Sequence, residues 1–205
     1  RVDCALGDAE LASFPCAYAA AENMLQRADV RHGERVLVTG ASGGVGSAAV
    51  QLAARRGAQV IAVAGESKAA ALGGLGAVRV LARDVDPMSA LGPDALDVVI
   101  DVAGGSQLGG WLQCLVRTGR YAVAGAIAGA AVTLDLRTIY LKDLSLFGCT
   151  VFGPDLFADL VGYIERGEIR PLVAATYPLA RIGDAQEAFL QKAHMGKIVL
   201  EIGCD

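Results

Sequence analysis

Aromatic residues are scarce in this sequence, 5% of the chain with a single tryptophan, and positive charge is not in excess. Eighteen Lys and Arg stand against 22 Asp and Glu, for a formal net charge of −4. A nucleic-acid partner calls for a basic footprint, so that class is excluded. The cysteines come without a C-x-x-C pair. Cys4, Cys16, Cys114, Cys149 and Cys204 are scattered, and such an odd set reads as reduced thiols in the cytoplasm, not as a disulfide framework. Long hydrophobic runs are missing too. The longest, residues 121–134, falls short of the ~20 residues that span a bilayer. The opening RVDCALGDAELASF lacks the basic-then-apolar order of a signal peptide. These features predict a soluble, cytoplasmic protein with no membrane partner. No initiator Met precedes Arg1, which predicts a piece of a longer polypeptide.

What is plentiful is small and apolar. Hydrophobic residues make up 54% of the 205 positions and charged ones 20%, enough to bury a sizeable core in one domain with attachments. Glycine, at 26 residues, suits tight strand-to-helix turns and close approach of backbone to a ligand. Apolar runs alternate with amphipathic ones. Residues 35–39 (RVLVT), 59–64 (QVIAVA), 78–81, 97–101 (DVVID), 120–124 and 145–152 read as six strands. Residues 45–56 read as a helix with Val45, Ala49, Leu52 and Ala53 on one face and Gly57 as its cap. Further helical pieces are predicted at 67–75 and 111–116, with one long helix over 10–27 leading in. Helices at 156–166 and 182–192, an extended stretch at 171–178 and a strand at 197–202 follow. The core strands are almost continuously apolar, as strands covered on both faces are. The expected fold class is therefore α/β, a doubly wound parallel sheet of the Rossmann kind with about six strands.

The chemistry lies between the first of these strands and the first core helix. There the chain passes through Ala41, Ser42, Gly43, Gly44, Val45 and Gly46. Read as G-x-G-x-x-G, the turn has Ala41 in place of its first glycine. Gly43 would let the backbone approach a pyrophosphate, and Gly46 would let the helix pack close to the sheet. The free amides and dipole at the helix start would hold the anion. A glycine turn with no ligand is the alternative. The same residues also read as T-G-x-x-x-G-x-G, the turn of the short-chain dehydrogenases. Those enzymes need a Tyr and a Lys four residues apart, so that the ammonium lowers the phenol's pKa. No tyrosine here qualifies: Tyr18, Tyr121, Tyr140, Tyr163 and Tyr177 are followed at that spacing by Glu22, Gly125, Leu144, Gly167 and Arg181.

The phrases FPCAYAAAENML, GERVLVTGASGGVGSAAVQLAARRGAQVIAVAG, DVVIDVAGG, TGRYAVAGAIAG, YPLARIGDAQEAF and GKIVL occur in this order along nearly the whole chain. In them the sequence resembles the medium-chain dehydrogenase/reductase superfamily, the zinc alcohol dehydrogenases and zinc-free quinone oxidoreductases. The resemblance implies an NAD(P)-binding Rossmann domain over residues 14–152. It assigns residues 1–13 and 153–205 to segments that belong to, or pack on, a GroES-like catalytic domain only partly present.

The expected cofactor is NADP(H), with NAD as the alternative. NAD enzymes usually end the second strand with an acid that binds the ribose 2′-OH, and here that place falls on Ala64 or Gly65. Lys68 could offer charge to a 2′-phosphate. By resemblance, Arg83 and Lys192 lie at adenine-side contacts, although all three cations also read as solvated surface charges. Glu66 is the objection, since turned inward it would serve an NAD ribose. Val102 and Ala103, with Gly125, Ala126 and Ile127, would pass the nicotinamide ribose by resemblance; ordinary loop glycine is the other reading. Cys16 stands where zinc-dependent members place a catalytic ligand, but zinc-free relatives share the Pro-Cys pair, and a lone Cys also reads as a small buried hydrophobe. Zinc thus stays open. His32 and His194 read as surface histidines, and no Ser-His-Asp set appears for hydrolysis.

The function expected is hydride transfer to or from a carbonyl, alcohol, enone or quinone substrate, with this chain as the nucleotide-binding portion. An enoyl-reductase module of a multidomain synthase and a non-catalytic dinucleotide-binding protein are the alternatives. A homodimer joined through the edge strand at 145–152 is expected, since that apolar edge would otherwise be exposed.

Overall fold

The computed structural model describes residues 2–203, so Cys204 lies outside the described part. Six strands form one parallel sheet: β1 (Arg35–Val38), β2 (Gln59–Val63), β3 (Ala77–Leu81), β4 (Leu96–Asp101), β5 (Leu115–Val123) and β6 (Ser145–Gly148). Their order, β3-β2-β1-β4-β5-β6, is that of the doubly wound dinucleotide-binding fold, with the reversal between β1 and β4. Every neighbouring pair in it is parallel.

Period-two geometry sends successive strand residues to opposite faces, and in the central strands β1 and β4 both faces are buried. Val36, Val38, Val98, Ile100 and Ala122 enter one core with Met24, Leu25, Leu52 and Leu160. Leu37, Val99 and Tyr121 enter the other with Trp111, Leu112 and Leu115. The apolar strand runs follow directly from this double burial.

The core helix α3 spans Gly44–Arg55 and ends in a Schellman turn. Gly57 takes φ +77°, its amide donates to Ala54 O at 2.8 Å, and the Ala58 amide donates to Ala53 O at 3.1 Å. The sequence places one helix over 10–27; the structure has two, α1 (Asp8–Ser13) and α2 (Pro15–Arg27). Pro15 explains the break, because it lacks the amide that would continue the first helix but suits the first turn of the second.

The short helices were harder to read. Beyond α4 (Ala69–Gly74), the segments α5 (Pro87–Leu91) and α7 (Leu136–Tyr140) carry no long apolar period, and each begins at an Asp side chain, Asp86 or Asp135, that accepts from a backbone amide two residues on. Where a helix was expected over 111–116, α6 covers Leu108–Cys114 and β5 begins at Leu115, ahead of the strand expected from residue 120. Thr118, at φ +62°, breaks that strand's pairing, and Lys142 caps the end of α6 by donating to Gln113 O and Leu115 O, both at 2.7 Å. β6 stops at Gly148, not at residue 152.

After α8 (Asp155–Glu165), β7 (Val173–Pro178) and β8 (Lys197–Glu201) pair in parallel as a separate two-stranded sheet, joined by α9 (Ile182–Leu190). α1 packs against both of these strands. Tyr18 ties α2 to the region before β7, donating to Arg170 O at 2.9 Å and accepting from Gln51 of α3 at 2.8 Å. No helix among the described residues is long and apolar enough to cross a membrane.

Candidate functional site

Doubly wound sheets bind ligands beyond the carboxyl ends of their strands, at the reversal of strand order. In this chain that place lies between the loops after β1 and β4. After β1 the chain turns sharply at Gly40, φ +55°, and Gly43 N donates to Gly40 O at 3.0 Å to close the turn. Gly46 admits no side chain: a Cβ there would sit 2.2 Å from Gly40 O and 2.7 Å from Ala41 Cα. The first turn of α3 is therefore pressed against the loop, with amides that have no acceptor within the helix. Gly43 is exposed, and a Cβ on it would meet only Gly40 O, at 3.4 Å, so its outer side is open to a ligand. Ser42, buried beside it, points its carbonyl away from the turn and accepts from Gly196 N at 3.0 Å.

That last contact brings in a part of the chain that the motif does not show. Gly196 bridges Gly43, and the next residue, Lys197, lies across Gly44, with its Nζ 3.2 Å from where a Gly44 Cβ would be. No carboxylate pairs with Lys197 among the described residues. Sequence reasoning passed over this lysine, since Gly44 and Gly196 lie far apart along the chain and its only signal was membership of the GKIVL phrase. His194, expected at the surface, has a buried Nδ1 with no partner and stands 5.5 Å from the Phe189 ring. His32 is exposed, packed over Gly57.

The expected adenine-side residues separate into three environments. Ala64 is buried at the end of β2 and Gly65 follows it, so no carboxylate occupies the strand end. The exposed Arg83 guanidinium lies 3.8–4.0 Å from where a Gly65 Cβ would be, and no acid pairs with it among the described residues. Lys68 is engaged instead, its ammonium donating to Ala193 O. Lys192, at φ +53°, lays its ammonium over the Phe189 ring at 3.5 Å. Glu66 is exposed and opens a short 3-10 turn beyond the strand.

On the other side of the reversal, the loops after β4 and β5 lie against each other. A Cβ on Gly125 would come 2.3 Å from Val102 O, and one on Gly104 would come 3.0 Å from Ala126 Cα. Ala128 N donates to Ala103 O at 2.8 Å. Val102 also touches the glycine turn, 2.9 Å from a Cβ built on Gly40. The structure thus gathers Ser42, Gly43, Gly44, Val45, Gly46, Val102, Ala103, Gly125 and Ala126 along one edge. Ile127 stands 80% exposed beyond them.

Cys16, the second residue of α2, is exposed in this chain. Among the described residues no group of three or more His, Cys, Asp or Glu side chains is placed to hold a metal ion. One thiol does not make a zinc site, so these residues alone do not fit zinc and no chemical step is assigned to it.

The comparisons with known proteins agree with this geometry. The model of the zinc-binding dehydrogenase family matches residues 44–166. Acryloyl-coenzyme A reductase of Metallosphaera sedula is 34% identical over 187 residues, 91% of this chain and 56% of that protein. A crystal structure from Sinorhizobium meliloti 1021, described provisionally as an alcohol dehydrogenase, is 48% identical with a TM-score of 0.91, over 98% of this chain and 57% of its own. The 2-octenoyl-CoA carboxylase reductase CinF, solved in complex with NADP and 2-octenoyl-CoA, is 27% identical with a TM-score of 0.86, over 97% of this chain and 52% of its own. This chain spans just over half the length of each.

Proposed function

This chain belongs to the zinc-binding dehydrogenase family of the medium-chain dehydrogenase/reductase superfamily, and from that premise we propose that it binds NADP(H) for hydride transfer to or from a carbonyl, alcohol, enone or quinone. The observation that carries the reading is the cradle at the start of α3, where Gly46 excludes a side chain and the Lys197 ammonium stands over Gly44. A pyrophosphate placed there meets free helix amides, the positive end of the helix dipole and an ammonium without a carboxylate partner.

Preference for the phosphorylated dinucleotide rests on the end of β2. An NAD ribose is usually held there by an acid, whereas here Gly65 leaves room and Arg83 supplies a planar cation suited to phosphate. The chain's own residues then act by holding and orienting: the turn grips the pyrophosphate, and the backbone of Val102, Ala103, Gly125 and Ala126 forms the wall at the ring end. Nicotinamide, when bound, supplies the hydride chemistry itself.

We propose further that the protein forms a homodimer through β6, which pairs only with β5 among the described strands and so leaves backbone N–H and C=O groups along its outer edge for a second copy. Sedimentation velocity at increasing concentration tests this, and a monomer throughout would overturn it. The cofactor reading is tested by titrating the chain with NADPH and NADH. Tighter binding of NADPH is expected. Equal affinities would overturn the preference, and no binding of either would overturn the dinucleotide site.

A further inference from the structure

Asp101 closes β4 with only 1% of its surface exposed, yet it does not touch the glycine turn's ligand face. Its Oδ1 accepts from Thr39 Oγ1 and from the amides of Ala103 and Gly104, both at 2.8 Å, and its Oδ2 accepts from the Tyr121 hydroxyl. Thr39 Oγ1 accepts in turn from Val102 N at 3.0 Å. Three strands therefore converge on one carboxylate: Thr39 directly follows β1, Asp101 ends β4 and Tyr121 lies in β5. A buried charge is costly unless donors satisfy it, and here four donors do. Burial first, and then the Asp101 charge, push the Tyr121 phenol's pKa up, so it remains a donor across the working range of pH.

The loop held by this carboxylate is the one that lies between the two halves of the site. Val102 Cγ2 is 2.9 Å from where a Gly40 Cβ would be, and Val102 O is 2.3 Å from where a Gly125 Cβ would be. Neither glycine has room for a side chain, so the loop at Val102 packs directly on the backbone of the glycine turn and of the loop after β5. We propose that Asp101 is a positioning residue for the nicotinamide half of the cofactor, setting the distance and direction of the 102–105 and 125–127 backbone relative to the pyrophosphate turn. The inference rests on the dinucleotide reading of the site. A hub that merely braces the sheet would lower stability and weaken every ligand alike; a positioning hub separates the two ends of the ligand.

That difference is measurable with two probes, NADPH and adenosine 2′,5′-bisphosphate, which carries the adenine side and no nicotinamide. For Asp101→Asn, NADPH affinity is expected to fall about fivefold or more while bisphosphate affinity stays within about twofold. The emission of any bound NADPH should shift toward that of the free cofactor. Tyr121→Phe keeps the ring in the core and removes one donor. It should show the same split to a smaller degree, and it carries the test if the Asp101 variant fails to fold. Equal losses for both probes, or no loss for either, would overturn the proposal. If neither probe binds the unaltered chain, the dinucleotide reading falls and this inference with it.

Discussion

The side chain of Lys197 lies across Gly44, so close that a Cβ built on the glycine would come within 2.5 Å of Lys197 Cε. The last strand of the chain thereby places a cation on the first turn of the core helix, where the amides and the dipole already favour an anion. Removing the charge with Lys197→Met should weaken NADPH and NADH by the same factor, about tenfold, because both carry the pyrophosphate. The salt dependence of binding should also flatten. Isothermal titration at two ionic strengths reads both effects, and a loss confined to one nucleotide would count against a pyrophosphate role.

Arg83 should behave differently. Its guanidinium lies beside Gly65 at the end of β2, where only the phosphorylated dinucleotide has its extra group. Arg83→Ala should lower NADPH affinity about tenfold and leave NADH nearly unchanged. Paired titrations of the variant with both nucleotides decide it; parallel losses would move Arg83 away from the 2′-phosphate.

Two glycines of one turn should fail in different ways. A Cβ on Gly46 would sit 2.2 Å from Gly40 O, a backbone atom that cannot swing aside, whereas one on Gly43 would meet Gly40 O at an ordinary 3.4 Å. Gly46→Ala should cost about 1–3 kcal/mol in overpacking and lower Tm by roughly 2–10 °C. Gly43→Ala should melt within about 2 °C of the wild type but bind cofactor more weakly, because its methyl occupies the side open to the pyrophosphate. Thermal melts with and without NADPH separate the two. A normal melt for Gly46→Ala would show that the helix can retreat from the turn.

Part of the acid sensitivity of the fold should come from Glu168. Hydrogen bonds from Arg166 and then Arg55 hold its carboxyl down to about 2, from an ordinary 4.5. A depressed folded-state pKa contributes stability above the unfolded value, and that contribution is lost as pH falls through the folded one. The gain from this cluster should therefore be present above pH 4.5 and disappear between 4.5 and about 2. Urea midpoints of the wild type and Glu168→Gln should differ near neutrality and converge toward the acid end of that window. A constant gap across the window would mean that the arginines do not act on this carboxylate.

Much of this was legible in the linear chain because it is local. Strand, turn and helix around residues 39–46 follow from neighbouring residues, and so does the parallel sheet, since double burial leaves near-continuous apolar runs. The glycine cap at Gly57 could be read for the same reason. The short helices could not, as five residues offer no period, and the position of β5 turned on a single residue, Thr118, held at positive φ by tertiary contacts. Cys16 reads in sequence as either ligand or core, and in the structure it lies exposed on α2.

Local order along the chain thus set the fold class, the parallel strands and the turn that suits a pyrophosphate, because propensity and hydrophobic period act over a few residues. Tertiary structure alone decided which distant groups meet. It brought Lys197 onto Gly44, laid Arg83 beside Gly65, engaged Lys68 with the Ala193 carbonyl and joined Thr39, Asp101 and Tyr121. Such contacts depend on strand order and on where separate elements dock, and those are settled by the burial of the whole core and by the need to pair every buried polar group.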